Sequence, residues 1–267
     1  TYTCAIKYTE SCTTTFTPDS GPTGNNNENE TIDQGDSGLG GGGVTTPIPD
    51  EEVKVDDSEL EGKEKCLNDL LKQKGDSYIQ NLLNNFRGNS EFDIKIGSKE
   101  NIWNPEKQKY VNGQTDTPVK NLMRIDISSV AASKESALWV VRTLLHEYIH
   151  ADIFRKLNTQ LITNDILDFR TTFEQYERDH HETMGALYIT SMRDALKGFH
   201  QNILIDDYNA FLNWYGAPTD DFYEALAWQS LKDNKIKAYN ELSNEKKQSI
   251  ENEEQKLGIL KKGCPQN

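Results

Sequence analysis

The segment from Ser133 to Leu157 carries the strongest structural signal in the sequence. Its apolar residues recur every three or four positions, as on one face of an α-helix. They are Ala137, Leu138, Val141, Leu144, Leu145, Tyr148, Ile149, Ile153 and Leu157. Because such a face is stable only when it is packed against other apolar groups, the segment predicts one long helix buried in a folded domain.

A polar N-terminal part precedes this domain. Hydrophobic residues make up 35% of the chain, and the deficit is concentrated in residues 18–58, which are rich in Asn, Gly, Pro and acidic residues. Such a segment buries too little apolar surface to offset its ordering entropy, so residues 18–58 are predicted to be a flexible linker. Residues 1–17 are predicted to form a small segment. Residues 59–267 form the predicted domain, which opens at a capping box of Ser58 and Glu61.

The predicted domain contains short strands and several further helices. Phe92, Ile94 and Ile96 alternate with polar residues, and residues 122–127 repeat this pattern, so two strands are expected there. Helices are expected at about residues 60–74, 78–87, 162–176, 179–201, 206–214 and 220–231. The predicted fold class is α+β: a helix-rich domain with a small sheet beside the long helix.

Charge and cysteine content restrict the partners and the compartment. The formal net charge is −14, which repels phosphate backbones, so no nucleic-acid partner is expected. The sequence has no apolar run of about eighteen residues, so no membrane span is expected.

Cys4, Cys12, Cys66 and Cys264 lack C-x-x-C spacing, which argues against a cysteine zinc site. Their even number favours an oxidising compartment and a secreted or cell-envelope location. Cys4 and Cys12 are expected to close a small ribbon, with four unpaired thiols as the alternative.

The long helix contains the pattern His146-Glu147-Tyr148-Ile149-His150. Residues four apart lie on the same helix face, so His146 and His150 can direct two imidazoles at one Zn²⁺ ion. Glu147 is offset around the helix and is predicted to act as the general base that takes a proton from a metal-activated water. The alternative is a helix with two histidines that only pack or face solvent.

A third ligand is expected from the helix that follows residue 179. His181 shares a face with its apolar residues, so it is the preferred ligand. His180 and Glu182 are the alternative ligands, and packing alone is a further alternative for His181. His200 lies about five turns away and is interpreted as structural or solvated.

Two tyrosines are candidates for oxyanion or substrate contacts. Tyr188 lies on the predicted face of His181, and Tyr223 lies in a later helix. A tyrosine hydroxyl can donate a hydrogen bond to an oxyanion. For both residues, packing in the core is the alternative explanation.

These motifs resemble those of a known family. His146-Glu147-Tyr148-Ile149-His150 is the signature of the zincin metallopeptidases, while Ile153 and Lys156 depart from the extended metzincin pattern. A third histidine on a separate helix resembles the SprT-like type. Residues 144–157, 179–185 and 223–228 also resemble exported or toxin-type domains of Bacteroidetes. The resemblance implies a zincin-like domain, peptide-bond hydrolysis and a histidine as third ligand.

Three functions remain open from the sequence. The first is a secreted or cell-envelope zinc metallopeptidase that acts on a peptide or protein substrate. The second is a toxin domain with the same chemistry, and the start at Thr1 rather than Met indicates processing or excision from a longer protein. The third is a zincin-like binding protein that hydrolyses nothing, against which the presence of Glu147 argues.

Overall fold

The computed structural model describes residues 54–88, 90–229, 231–232 and 236–265. The described part has a helix-rich α+β fold, as predicted. Its strands are β1 (Val55–Glu59), β2 (Asp93–Lys99), β3 (Ile102–Asn104), β4 (Lys109–Val111), β5 (Gly113–Thr115) and β6 (Leu122–Ser128). Residues 1–17 and the two cysteines expected to pair there, Cys4 and Cys12, lie outside the described residues, as does most of the predicted linker.

Four of the strands form one mixed sheet in the order β1-β2-β6-β5. Strands β1, β2 and β6 are parallel, and β5 runs antiparallel to β6 at the edge. The register places Ile94 beside Met123 and Ile96 beside Ile125, and all four side chains are buried. Strands β3 and β4 form a separate antiparallel hairpin.

Eleven α-helices are assigned in the described residues. They are α1 (Gly62–Lys74), α2 (Ser77–Asn84), α3 (Ser129–Lys134), α4 (Ala137–Asn158), α5 (Asn164–Gln175), α6 (His180–Leu187), α7 (Ile189–Asn202), α8 (Ile205–Tyr215), α9 (Asp220–Trp228), α10 (Lys237–Asn240) and α11 (Asn244–Glu254). A 3₁₀ turn, Gln255–Ile259, follows α11. Helix α4 packs against α1, α2, α7, α9 and strands β5 and β6, so it is the centre of the core.

Side-chain caps fix where the central helices begin. The Ser136 hydroxyl accepts a hydrogen bond from the Trp139 backbone N–H at the start of α4. The long helix therefore starts at Ala137 and not at Ser133, because residues 129–134 form the separate helix α3. The Asp179 carboxylate accepts from the backbone N–H groups of His181 and Glu182, so Asp179 is the N-cap of α6.

Two further predicted boundaries were wrong. The folded domain starts before residue 59, because Val55 is buried and residues 55–59 form strand β1 beside β2. Ser58 therefore belongs to a strand and caps no helix; Glu61 is the N-cap position of α1. The helix predicted over residues 179–201 is two helices, α6 and α7, which join at Tyr188.

The C-terminal segment is held at three places. A disulfide joins Cys66 of α1 to Cys264, a pairing that the sequence left open. The Lys261 carbonyl accepts from the Ala137 backbone N–H at the start of α4, at 2.8 Å. The Lys261 backbone N–H donates to Asp207 Oδ1 of α8, also at 2.8 Å. These contacts tie the end of the described chain to α1, α4 and α8.

Among the described residues, no helix combines the length and the apolar character that crossing a membrane requires.

Candidate metal centre

Helix α4 places His146 and His150 one turn apart on the face that lines an open cleft. His146 is 5% exposed, and the His150 side chain is partly buried. Their Nε2 atoms are 3.1 Å apart. Two nitrogen ligands held about 2.0–2.1 Å from a tetrahedral ion lie about 3.3 Å apart, so this spacing fits two ligands of one ion.

Helix α6 brings His181 to the same point. The His181 ring lies 5.6 Å from the His146 ring and 4.9 Å from the His150 ring, between ring centroids. One ring nitrogen from each of the three histidines lies within 4.8 Å of the others. The cap at Asp179 fixes the first turn of α6 and therefore the position of His181. The three imidazoles form a partly to fully buried group that can hold a metal ion.

The environment keeps these imidazoles neutral. Burial lowers the pKa of His146 and of His150 well below the usual histidine value. Repulsion from His150 adds to the shift of His146, and repulsion from His181 and then His180 adds to the shift of His150. Burial, followed by the charge of Lys107, lowers the pKa of His181 to about 4. Only a neutral imidazole has a lone pair for a metal, so the donor set suits a divalent ion at neutral pH.

Glu147 lies beside the histidines with its carboxylate at the cleft wall. The residue is 4% exposed and forms no ion pair with a described residue. The Thr115 hydroxyl of β5 donates to Glu147 Oε2 at 2.8 Å. Burial raises the pKa of the Glu147 carboxyl to about 7, although the Thr115 hydrogen bond opposes the shift. Such a carboxyl can exchange a proton near neutral pH.

His180 occupies a different place from the three ligand candidates. Its Nδ1 lies 3.2 Å from Nδ1 of His150, the nitrogen on the far side of that ring from His146. The rings of Phe154 and Phe173 pack against His180, at 4.4 and 5.6 Å between centroids. His180 is therefore not one of the three converging imidazoles; it contacts the outer nitrogen of one of them.

The other alternative site residues are elsewhere. Both Glu182 carboxylate oxygens accept from the Lys237 backbone N–H, so the structure gives this side chain a different partner. The Tyr188 hydroxyl accepts from Lys156 Nζ at 2.9 Å. The Tyr223 hydroxyl lies 3.0 Å from His200 Nδ1 in the buried core, as expected for a structural His200. Neither tyrosine is among the residues that line the cleft, so the structure lends no support to their predicted contacts with an oxyanion or substrate.

A cleft of about 440 Å³ opens over the histidines. Helix α4 contributes Trp139, Arg142 and Thr143 to its lining, besides the histidines and Glu147. The opposite side is formed by the β3–β4 hairpin and by residues 112–115 at the sheet edge. The three imidazoles can therefore be reached from solvent through this cleft.

Sequence reasoning missed the residues on this opposite side, Thr115, Gly113 and Lys107. Strand β5 has three residues, too few to show alternation. A signal for the hairpin was present, since Pro105 lies between Ile102-Trp103 and Tyr110-Val111. It predicts a turn, but it does not show that the turn lies over the metal centre.

Comparisons of the chain with protein-family models, with curated proteins and with solved structures return no match. A function is therefore inferred from the geometry and chemistry of the site itself.

Proposed function

We propose that this protein is a zinc-dependent peptide hydrolase. His146, His150 and His181 hold the ion, and Glu147 is the general base. The observation that carries the proposal is the convergence of three neutral imidazoles beside a buried carboxylate in an open cleft. The resemblance of the sequence to zincins agrees with this assignment.

The donor set favours zinc. Three protein nitrogens with a fourth position open to a cleft are typical of catalytic zinc sites, whereas structural zinc sites have four protein ligands. When bound, the ion would polarise a substrate carbonyl and lower the pKa of water. Calcium and magnesium prefer oxygen ligands and do not suit three imidazoles.

Glu147 supplies the proton transfers. Its carboxylate takes a proton from water, whose oxygen bonds to the peptide carbonyl carbon. The carbon–nitrogen bond then breaks, and Glu147 delivers the proton to the departing amine nitrogen. The Thr115 hydrogen bond to Oε2 fixes the carboxylate rotamer and leaves Oε1 for this role.

Strand β5 supports a peptide as the substrate. One side of Gly113–Thr115 pairs with β6, and β5 is the last strand of its sheet on the other side. Residues 113–115 line the cleft. An edge strand offers free backbone N–H and C=O groups that an extended peptide can pair with. The substrate backbone would then run along the cleft past Glu147.

A non-hydrolysing binding protein is the less favoured function. A buried carboxylate without an ion-pair partner destabilises the fold, and a site that only binds metal has no need of it.

The Cys66–Cys264 disulfide supports an oxidising compartment and hence a secreted or cell-envelope location. A delivered toxin domain with the same chemistry agrees equally with this geometry.

Metal analysis and peptide cleavage test the proposal together. The purified chain should contain about one zinc and cleave a peptide library, and a chelator should abolish cleavage. Glu147→Gln should keep zinc and lose at least about 100-fold in kcat/KM, while His181→Ala should lose zinc. Glu182→Gln is the matched control, since its amide oxygen can still accept from Lys237, and it should keep both. A zinc-free wild-type protein, or full activity in Glu147→Gln, would contradict the proposal.

A further inference from the structure

The β3–β4 hairpin presents two lysines to the cleft. Asn104 pairs with Lys109 across the hairpin, and Lys107 lies in the turn between them. The Lys107 backbone N–H donates to Asn104 Oδ1 at 2.8 Å, which fixes the turn. Both lysines line the cleft and are exposed as whole residues, while the ammonium group of Lys107 is partly desolvated there. We call Lys107 and Lys109 the cationic lip.

The charge of Lys107 reaches the metal centre. It contributes to lowering the pKa of His146, His150 and His181, and it also lowers the pKa of Glu147. Partial burial in the cleft lowers the pKa of Lys107 itself, with repulsion from Lys109 as the next cause. The ammonium group therefore faces the same space as the three imidazoles.

The cationic lip has no ion-pair partner among the described residues. The nearby carboxylates are Glu106 in the same turn, Asp179 and Glu147. Asp179 is engaged in capping α6, and Glu147 is held by Thr115. Arg142 adds a third cation to the cleft lining. In a chain of net charge −14, the described lining of this cleft therefore includes two lysines that form no ion pair with another described residue.

We infer that the cationic lip selects substrates that carry a carboxylate close to the bond that is cleaved. The inference rests on the proposed function, because it concerns the same cleft. A carboxylate that enters it meets ammonium groups that have no ion-pair partner among residues 54–265 as far as these are described, and complementary charge also speeds encounter. The carboxylate can belong to an acidic side chain or to the C-terminus of the substrate.

Matched peptides separate these two sources. One pair has both ends blocked and differs only in Glu or Gln next to the scissile bond. The other pair has only uncharged side chains and differs only in a free or amidated C-terminus. The wild-type protein should favour the acidic member of one pair by about tenfold in kcat/KM, which corresponds to the free energy of one hydrogen bond to a charged group. The pair that shows the preference identifies the source.

Substitutions in and beside the cationic lip test whether its lysines cause the preference for acidic peptides. Lys107→Gln should reduce the preference to about twofold or less, and Lys107→Glu should reverse it. Glu106→Gln should increase it, because a competing carboxylate is removed. Lys74→Gln is the matched control: Lys74 is an exposed lysine at the end of α1 outside the cleft lining, and its loss should change nothing. Raising the ionic strength should weaken the wild-type preference.

Binding to the Glu147→Gln protein separates this inference from the proposed function. The same peptides are titrated against that variant, with and without Lys107→Gln, while metal content and thermal unfolding verify the fold. If the wild type cleaves none of the peptides, and the acidic peptides still bind about tenfold more tightly through Lys107, hydrolysis is refuted and the proposed role of the cationic lip is not. Equal cleavage and equal binding of acidic and neutral peptides, or a preference that survives Lys107→Gln, overturns the inference.

Discussion

At the scale of single residues, Glu147 lies beside the three histidines, but the burial of its carboxylate lowers the stability of the folded protein. Its carboxylate is buried, and its described partner is the neutral Thr115 hydroxyl. A carboxyl whose pKa is raised on folding binds its proton more tightly in the folded state. It therefore destabilises the folded state as the pH rises from the unfolded value towards the folded value.

Replacing Glu147 by Gln should stabilise the metal-free protein at high pH. The pKa rises from 4.5 to about 7 on folding. The penalty is absent below pH 4.5 and complete above pH 7, where it amounts to about 3 kcal/mol. Denaturant unfolding of chelator-treated proteins should show Glu147→Gln more stable by up to about 3 kcal/mol at pH 8, and by under about 1 kcal/mol at pH 5. Equal stability at both values of pH would show that the carboxyl is not desolvated.

His180 should strengthen zinc binding through His150. If His150 binds the ion through Nε2, its Nδ1–H donates to His180 Nδ1 and fixes the ring. His180→Phe keeps a ring between Phe154 and Phe173 but removes the acceptor. The zinc dissociation constant, measured by chelator competition, should increase about 10- to 100-fold. His180→Asn retains an acceptor and should lose less. Wild-type affinity in His180→Phe would exclude this role.

The sequence predicted the members of the histidine group better than their surroundings. Helical spacing places His146 and His150 together, and the face of the next helix selects His181. The choice between His180 and His181 depends on where α6 begins, which Asp179 decides locally. The roles of Tyr188 and Tyr223 could not be predicted, because their hydroxyl partners Lys156 and His200 become neighbours only through tertiary packing.

At the scale of secondary-structure elements, the site depends on a close approach between β5 and α4. Gly113 faces Glu147 so closely that an added Cβ would lie 2.7 Å from Glu147 Oε1 and 2.8 Å from its Cγ. The absence of a side chain at residue 113 therefore permits the edge strand to lie against the base. Periodicity predicted α4, β2 and β6, where many residues repeat one pattern. It could not predict β5, whose place is set by pairing with β6.

Gly113→Ala should displace Glu147 without unfolding the protein. The new methyl group would push the carboxylate away from Thr115, and a shift of about 1 Å at a reacting group costs about 100-fold in rate. We expect kcat to fall by about that factor while zinc content is unchanged.

Gly198→Ala in α7 is the control for Gly113→Ala. Its Cβ would meet only Asp76 Oδ2, at 3.8 Å. It should keep full activity and gain about 0.5–1 kcal/mol of stability. Full activity in Gly113→Ala would show that β5 does not position the base.

At the scale of the whole molecule, the disulfide closes a very long loop. Cys66 and Cys264 are separated by 198 positions, so the bond restricts nearly all of the described chain in the unfolded state. Neither its pairing nor its effect is visible in the sequence, since cysteine spacing alone does not determine connectivity. The apolar pattern of the helices did predict the fold class, because most of the core is formed by helices packed around α4.

Loss of this disulfide should lower the free energy of unfolding by about 3–5 kcal/mol. The double variant Cys66→Ser/Cys264→Ser should show this decrease in denaturant titrations. A reductant should destabilise the wild type by a similar amount and leave the variant unchanged. A variant as stable as the wild type, or one that still responds to reductant, would contradict this role for the bond.

The contact between Lys261 and Ala137 has a consequence for biosynthesis. The Ala137 backbone N–H, the first of α4, donates to the carbonyl of Lys261, a residue that is translated long after the helix itself. While the ribosome still holds that residue, the start of α4 has no such acceptor and Asp207 lacks its donor. A nascent chain released before Lys261 would therefore lack both hydrogen bonds. Activity should thus appear only after translation has passed this point.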